Sequence, residues 1–140
     1  MVGAWGLWLR LTEMDKDQLS LIGKLIDRYE SSRPLISSGG FYHLVGLTDI
    51  NNPWGGGWFV VESYDQEAGK GAVLYVHNGE NSPQSITPQL RGLDAGLRYR
   101  LWTIGNEGST SDYGGSELLA TGLSLAAEPR QGNWILFQRE

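Results

Sequence analysis

The spacing of apolar residues divides the chain into one helical segment and a longer region of short strands. Charged side chains fall on the remaining positions of the helical wheel, which predicts an amphipathic helix over residues 15–31 that needs a surface to lie on. After Pro34 no second helical pattern of comparable length follows. The apolar positions that keep the 3.6-residue period are Leu19, Ile22, Leu25, Ile26 and Tyr29.

Both ends of this helix carry recognisable signals. Thr12 can cap the first turn with Asp15 three residues later, or Asp15 can be the cap with Gln18 as its partner. At the other end, Arg33 precedes Pro34, and a residue before proline avoids the α region. The sequence leaves the N-cap open between two residues and predicts that the helix stops at Arg33.

The rest of the chain predicts antiparallel β-structure. Segments rich in glycine, asparagine and proline, including GNEGSTSDYGG at 105–115, separate the runs and read as turns. Short strands at this spacing are typical of a sandwich or barrel. A further apolar stretch, AWGLWLRL, lies before the helix at 4–11. The strand-like runs are 41–47, 57–65, 71–78, 84–90, 97–104 and 133–140.

We therefore predict a mainly β protein, an antiparallel β-sandwich with one packed N-terminal α-helix. Residues 1–37 would form the N-terminal arm and amphipathic helix. Residues 38–140 would form the sandwich as a single compact unit. A chain of 140 residues has the length of one ordinary domain and can bury a core.

The segment LRGLDAGLRYRLWTIGNEGS at 90–109 predicts a sandwich corner. Tyr99 is expected to anchor the turn and Leu101 to reach the core, while alternation along the strand places Trp102 on the opposite face. Such a segment is typical of two kinds of β-sandwich. One is a fibronectin type III module, in which Tyr99 would be the tyrosine corner, and the other is the all-β tail of a glycoside hydrolase.

Composition and charge exclude several function classes. The chain has no cysteine, so disulfides and thiolate metal sites are excluded. The net charge of −5 and the scattered basic residues argue against a nucleic-acid partner. No stretch is apolar and long enough to cross a bilayer, so we expect no membrane partner. The start, MVGAWGLWLR, lacks the cationic region and cleavage site of a secretory signal, so we expect a cytoplasmic protein.

Candidate catalytic and metal-binding residues are few. His43 and His77 each stand alone in a predicted strand, which favours a structural or surface role, and we expect no metal or cofactor. Most acidic residues fall in turns or on the helix, where solvated carboxylates are common. Glu62 lies within a strand and is the one candidate for a glycosidase-type carboxyl pair, although an outward-facing position explains it equally well. We assign no catalytic residue.

Aromatic residues are the candidates for carbohydrate binding. An indole face can stack on the apolar face of a sugar ring, and the six tryptophans could instead form a seam between helix and sandwich. The seam is the interpretation we favour. The residues that could contact a sugar are Trp54, Trp58, Tyr42 and Tyr113.

Over residues 3–36, the chain resembles the closing strand and helix of the catalytic barrel in glycoside hydrolase family 36, the α-galactosidases and their relatives. The resemblance continues into 39–44, GGFYHL, which is similar to the opening of the family's tail domain. Glu30 and His43 depart from it, since the family has lysine and arginine there. The positions that fit the family pattern are Leu11, Thr12, Leu19, Ile22, Ile26, Tyr29, Arg33, Pro34, Leu35 and Ile36.

Residues 58–140 resemble the same family's C-terminal all-β domain. The matching segments, in order, are AVLYVHN, LRGLDAGLRYRL, YGGSELLATGLSL and NWILFQRE. The fibronectin alternative explains less, because only one strand should follow the corner and the helix over 15–31 has no place in it. The ordered set favours the hydrolase tail.

The resemblance implies a domain without catalytic residues, because the family's catalytic aspartates lie on earlier barrel strands. We expect a structural or accessory role through a homodimer or a glycoside hydrolase barrel supplied in trans, since an apolar patch rarely stays exposed. A carbohydrate-binding module that takes an oligosaccharide is the alternative, and a small enzyme using Glu62 is a third hypothesis. The expected interface consists of Trp5, Leu7, Trp8, Leu9, Leu19, Ile22 and Ile26.

Overall fold

A computed structural model describes residues 14–46, 57–77, 79, 82–104 and 106–140. Two helices and eight strands follow one another along these ranges. In chain order they are α1 (Lys16–Ser38), β1 (Gly40–Val45), β2 (Trp58–Asp65), β3 (Lys70–His77), β4 (Ser85–Ile86), β5 (Arg98–Thr103), β6 (Asn106–Gly114), α2 (Gly115–Ala120), β7 (Leu125–Ala126) and β8 (Gln131–Arg139).

The strands form a six-stranded sheet in the order β1-β2-β3-β8-β5-β6 and a two-stranded sheet of β4 and β7. Every pairing is antiparallel. The prediction of a mainly β, antiparallel sandwich with an N-terminal helix is confirmed.

Strand β6, Asn106–Gly114, lies within the segment 105–115 that the sequence predicted to be a turn, so that prediction is wrong. The segment pairs on one side with β5, from Arg98 opposite Gly114 to Trp102 opposite Thr110. β6 is the last strand of the sheet and, among the described residues, pairs only with β5; small polar residues are common at such edges. Its side chains therefore lack the apolar alternation by which a strand is recognised.

The core lies between one face of the six-stranded sheet and a second layer. That layer consists of β4, β7, α2 and the connecting segments around them, which contribute a set of leucines. Because side chains alternate along a strand, alternate residues of the large sheet point into this core. The buried cluster contains Trp58, Val60, Tyr64, Val73, Tyr75, Tyr99, Leu101 and Phe137 from the sheet, with Leu90, Leu93, Leu118, Leu123 and Leu125 from the second layer.

Helix α1 covers part of the opposite face of the sheet. It lies against β2 and β3, and there Val61, Ser63 and Ala72 are buried although they do not belong to the core cluster. We call this the helix side of the sheet. Strand β2 is thus covered on both faces, and its residues from Val60 to Tyr64 are all buried.

Asp15 is the N-cap of α1. Its side chain accepts a hydrogen bond of 2.8 Å from the Gln18 backbone N–H, and the Gln18 side-chain oxygen accepts one of 3.2 Å from the Asp15 N–H. The Asp15 alternative is therefore confirmed. Thr12, the other candidate cap, lies outside the described residues.

The helix continues past Pro34 to Ser38, so the predicted end at Arg33 is wrong. Proline removes the hydrogen bond to the carbonyl four residues earlier, at Glu30, but propensity is overridden when a helix packs on a sheet. Gly39 alone links α1 to β1, and a Cβ there would lie 2.8 Å from the Tyr64 carbonyl. The division into units at 1–37 and 38–140 stays a prediction.

Candidate functional site

Helix α1 leaves an apolar stripe partly exposed to solvent. Leu19 is 40% exposed and Ile26 is 38% exposed, while Ile22 between them is half-buried. Their spacing of three and four residues places them along one face of the helix. We call Leu19, Ile22 and Ile26 the helix stripe. Phe41, on β1 just beyond the helix, is also 38% exposed.

Apolar side chains continue across the helix side of the sheet from β3, which α1 contacts, to β8 and β5. Leu74 on β3 pairs with Trp134 on β8, and Trp102 on β5 pairs with Leu136 on β8. All four are half-buried. Leu101, next to Trp102, is 4% exposed in the core, which confirms the predicted alternation.

Several residues named from the sequence lie outside the described residues. The structure therefore does not test them. They are Trp5, Leu7, Trp8 and Leu9 of the expected interface and Trp54 of the expected sugar contacts.

Trp58 is a core residue, so the prediction that it contacts a sugar is wrong. It is 3% exposed, and its ring stacks on His77 with centroids 4.6 Å apart and an angle of 11° between the planes. Its Nε1–H donates to the Pro83 carbonyl at 2.8 Å. The indole therefore has a polar partner and no free face for a ligand.

The histidines have different surroundings. His77 is fully buried, and its Nδ1 lies 3.0 Å from the Ala127 carbonyl, to which it donates because a carbonyl only accepts. Its Nε2 has no hydrogen-bond partner. His43 is exposed on β1 and contacts the ring of Phe59 edge-on at 6.1 Å between centroids. A structural role for His77 and a surface position for His43 agree with the prediction.

Tyr42 and Tyr113 are half-buried on opposite edges of the six-stranded sheet. Tyr42 belongs to β1 and Tyr113 to β6, the first and last strands in the order. At about 4.8 Å per strand, five spacings separate these edges by about 24 Å. The two tyrosines do not form one sugar-binding platform.

The corner after residue 90 is built as predicted, around Tyr99. Tyr99 is fully buried, and its hydroxyl oxygen accepts the Asp94 backbone N–H at 2.9 Å. The hydroxyl of Tyr64 lies 3.3 Å from that of Tyr99. Burial, then the hydrogen bond with Tyr99, raise the pKa of Tyr64 above its usual value, so the Tyr64 phenol stays neutral.

Glu62 is a carboxyl residue in the middle of β2. It is fully buried, which makes the prediction of an outward-facing position wrong. Its Oε2 accepts the Arg91 backbone N–H at 2.6 Å, and its Oε1 has no hydrogen-bond partner. Burial raises the pKa of Glu62 to about 7, although the backbone hydrogen bond and the charge of Arg91 lower it in part. Its closest polar partner is a backbone amide, where a glycosidase pair would need a second carboxyl group.

The described residues lack both a metal-binding cluster and a membrane-crossing helix. They contain no group of three or more histidine, cysteine, aspartate or glutamate side chains that could hold a metal ion. In the same part of the chain, no helix combines the length and the apolar character needed to cross a membrane.

The chain is similar in sequence to α-galactosidases. It is 25% identical over 138 residues to probable alpha-galactosidase G of Aspergillus terreus, covering 98% of this chain and 17% of that protein. It is 28% identical over 125 residues to alpha-galactosidase AgaA of Geobacillus stearothermophilus, covering 89% of this chain and 16% of AgaA. No family model matches the chain.

Solved structures show the same fold. The GH36 alpha-galactosidase AgaA of G. stearothermophilus superposes with a TM-score of 0.72 at 21% identity, over 94% of this chain and 17% of that one. An alpha-galactosidase from Lactobacillus brevis gives 0.70 at 19% identity, over 94% and 18%. The chain thus spans about a sixth of the length of these relatives. In sequence and in fold, it resembles the C-terminal part of glycoside hydrolase family 36 α-galactosidases.

Proposed function

We propose that this chain is a non-catalytic accessory β-sandwich domain that acts by associating with a catalytic barrel of the α-galactosidase type. The observation that carries the proposal is the helix stripe. Two of its three residues, Leu19 and Ile26, are more than a third exposed on a helix whose neighbours in the fold are β2 and β3. Exposed apolar stripes of this kind mark protein–protein contacts.

Two observations support a role without catalysis. The chain corresponds to 16–17% of the length of its curated relatives, so most of each relative has no counterpart in it. Glu62, the candidate acid, is closed off from solvent and bound to a backbone amide. A cytoplasmic location is part of the proposal and rests on the sequence alone.

The choice of a barrel as partner rests on these relatives. In them, the matched sixth of the chain is joined to a much longer remainder, and the same fold recurs in two of their solved structures. The half-buried residues Trp102, Trp134 and Leu136 extend the apolar surface beside α1. A partner that covers both the helix stripe and this strip would bury one continuous apolar surface. A homodimer through the helix stripe is the competing outcome.

Association can be tested with a variant that makes the stripe polar. Leu19→Gln with Ile26→Gln keeps helix propensity nearly unchanged, since glutamine is a good helix former. Lys24→Gln, at an exposed position of the same helix, is the matched control. The partner is AgaA truncated to lack the segment that matches this chain, and sedimentation velocity measures both self-association and binding to it.

We expect the wild-type chain and the control to bind the truncated barrel, and the double variant to bind at least about tenfold more weakly, a loss of about 1.4 kcal/mol. Circular dichroism should be the same for all three. If the wild-type chain forms a dimer and does not bind the barrel, the partner of the helix stripe is a second copy of this chain, and the barrel proposal is wrong. At a protein concentration of about 100 µM, even an interaction with a binding free energy of about 5.5 kcal/mol is detected. A chain that stays monomeric and does not bind the barrel at this concentration would contradict the proposal.

A further inference from the structure

Glu62 lies beneath a segment of the second layer and holds it to the sheet. The segment, residues 90–94, runs directly over β2, where the Glu62 carboxyl accepts the Arg91 N–H at 2.6 Å. Gln66 adds a second tie, since its side-chain amide donates to the Gly92 carbonyl at 3.1 Å. Tyr99 adds a third through the Asp94 N–H. Of these three contacts, only that of Glu62 is made by a carboxyl group.

We propose that Glu62 is a proton-controlled latch: its neutral form holds the 90–94 segment closed on the sheet, and its ionisation releases the segment. The proposal is independent of the association surface, because Glu62 points into the core and α1 lies on the other side of the sheet.

The geometry around the carboxyl makes ionisation costly while the segment is closed. A carboxylate needs donors for both oxygens, and Oε1 has none. From β1 the directly opposite residue is Tyr42, and from β3 it is Val73. From the second layer the facing group is Arg91, whose residue is exposed, so its guanidinium is largely solvated. A buried charge with one amide donor and a solvated cation is poorly compensated, and opening the segment lets Oε1 reach water.

Gly92 gives the closed state little room to adjust. Its φ of +74° lies in the left-handed region, and a Cβ there would be 2.8 Å from the Tyr42 hydroxyl oxygen. The segment therefore lies close to the Tyr42 side chain of β1. We expect the segment to open as one unit, because local opening commonly involves contiguous residues.

The direction of the pH effect follows from linkage. The folded pKa of Glu62, about 7, is above its ordinary value of 4.5, so the closed state binds the proton more tightly than the open state. The stability of the closed segment is fully present below pH 4.5 and declines as the pH rises to about 7.

Hydrogen exchange at the Arg91 and Asp94 amides, both hydrogen-bonded in the closed segment, tests the latch. After correction for intrinsic rates, we expect protection in the wild type to fall at least about tenfold between about pH 5 and about pH 8. Glu62→Gln keeps an oxygen that accepts the Arg91 N–H but cannot ionise, so its protection should not change over this range. Glu67→Gln, on the exposed turn after β2, is the matched control and should behave like the wild type.

The same pH dependence in Glu62→Gln as in the wild type would overturn the proposal, as would an Arg91 amide that stays equally protected at the higher pH. A carbon-13 titration of the Glu62 carboxyl in the wild-type protein covers the case in which the variant does not fold. A midpoint near 7 supports the latch, and a midpoint near 4.5 contradicts it.

Discussion

The hydroxyl oxygen of Tyr99 lies 2.9 Å from the backbone nitrogen of Asp94 and accepts its hydrogen bond inside the protein. The two residues belong to different parts of one corner, because Tyr99 lies near the start of β5 and Asp94 ends the 90–94 segment of the second layer. A buried backbone N–H is costly when it has no partner. The bond therefore couples the start of β5 to the second layer, and Tyr64 adds a contact to the same hydroxyl at 3.3 Å.

Replacing Tyr99 by phenylalanine should destabilise the fold by about 0.5–1.5 kcal/mol, because the partly buried Asp94 N–H would lose its acceptor. Urea denaturation of both proteins measures the change. Tyr113→Phe is the matched control, since Tyr113 pairs with Tyr99 across β5 and β6 but is half-buried. We expect it to change the free energy of unfolding by less than about 0.5 kcal/mol. Equal effects of the two variants would mean that the corner bond contributes no stability.

Gly92→Ala should destabilise the protein strongly. An alanine there would have a positive φ and a Cβ 2.8 Å from the Tyr42 hydroxyl oxygen, so we expect a loss of at least about 1 kcal/mol. Gly108→Ala is the control, because a Cβ at Gly108 has no atom within 4 Å. Thermal melts of the two variants should differ by several degrees, with Gly108→Ala close to wild type. If both melt alike, the segment over Tyr42 adapts more easily than its geometry indicates.

Asp15→Ala removes the capping box of α1. The Gln18 N–H loses its 2.8 Å acceptor at the helix start, so we expect a cost of about 0.5–2 kcal/mol in helix stability. Helical ellipticity and the urea midpoint measure it. Asp27→Ala, on an exposed central position of α1, should leave both unchanged or raise them slightly, since alanine is the better helix former. A larger loss from the central position would contradict the capping argument.

Trp58→Ala should cost about 3–5 kcal/mol, the range for a buried aromatic side chain, because the stacking on His77 is lost and a cavity remains. Trp102→Ala is compared with it, since Trp102 is half-buried on the helix side. Its effect in the isolated chain should be clearly smaller. Denaturant titration of both variants decides the ranking, and a Trp102 effect as large as that of Trp58 would mean that the helix side is packed as tightly as the core.

Alternation along a strand predicted the corner but not the setting of Glu62. In the corner, one face of β5 enters the core and the other is partly open, so Leu101 and Trp102 could be assigned to opposite faces. In β2 both faces are covered, and every residue from Val60 to Tyr64 is buried. Because apolar residues occupy both faces of β2, the pattern of apolar and polar residues does not show which face of the sheet Glu62 lies on. One signal was available, because Trp58, Val60 and Glu62 are spaced two residues apart on the same strand. Residues with this spacing share one face, so Glu62 could have been placed in the core with the other two.

By itself, the sequence determined the elements that depend on neighbours along the chain: the amphipathic helix, most of the strands and the Tyr99 corner, while the N-cap stayed open between Thr12 and Asp15. Periodicity and capping act over a few residues, so they can be read locally. The tertiary structure decided the rest. Pairing with β5 makes a polar segment into β6, packing on β2 and β3 carries α1 past Pro34, and the second layer encloses Glu62. These outcomes depend on residues distant in the chain, whose burial and hydrogen bonds outweigh local preference.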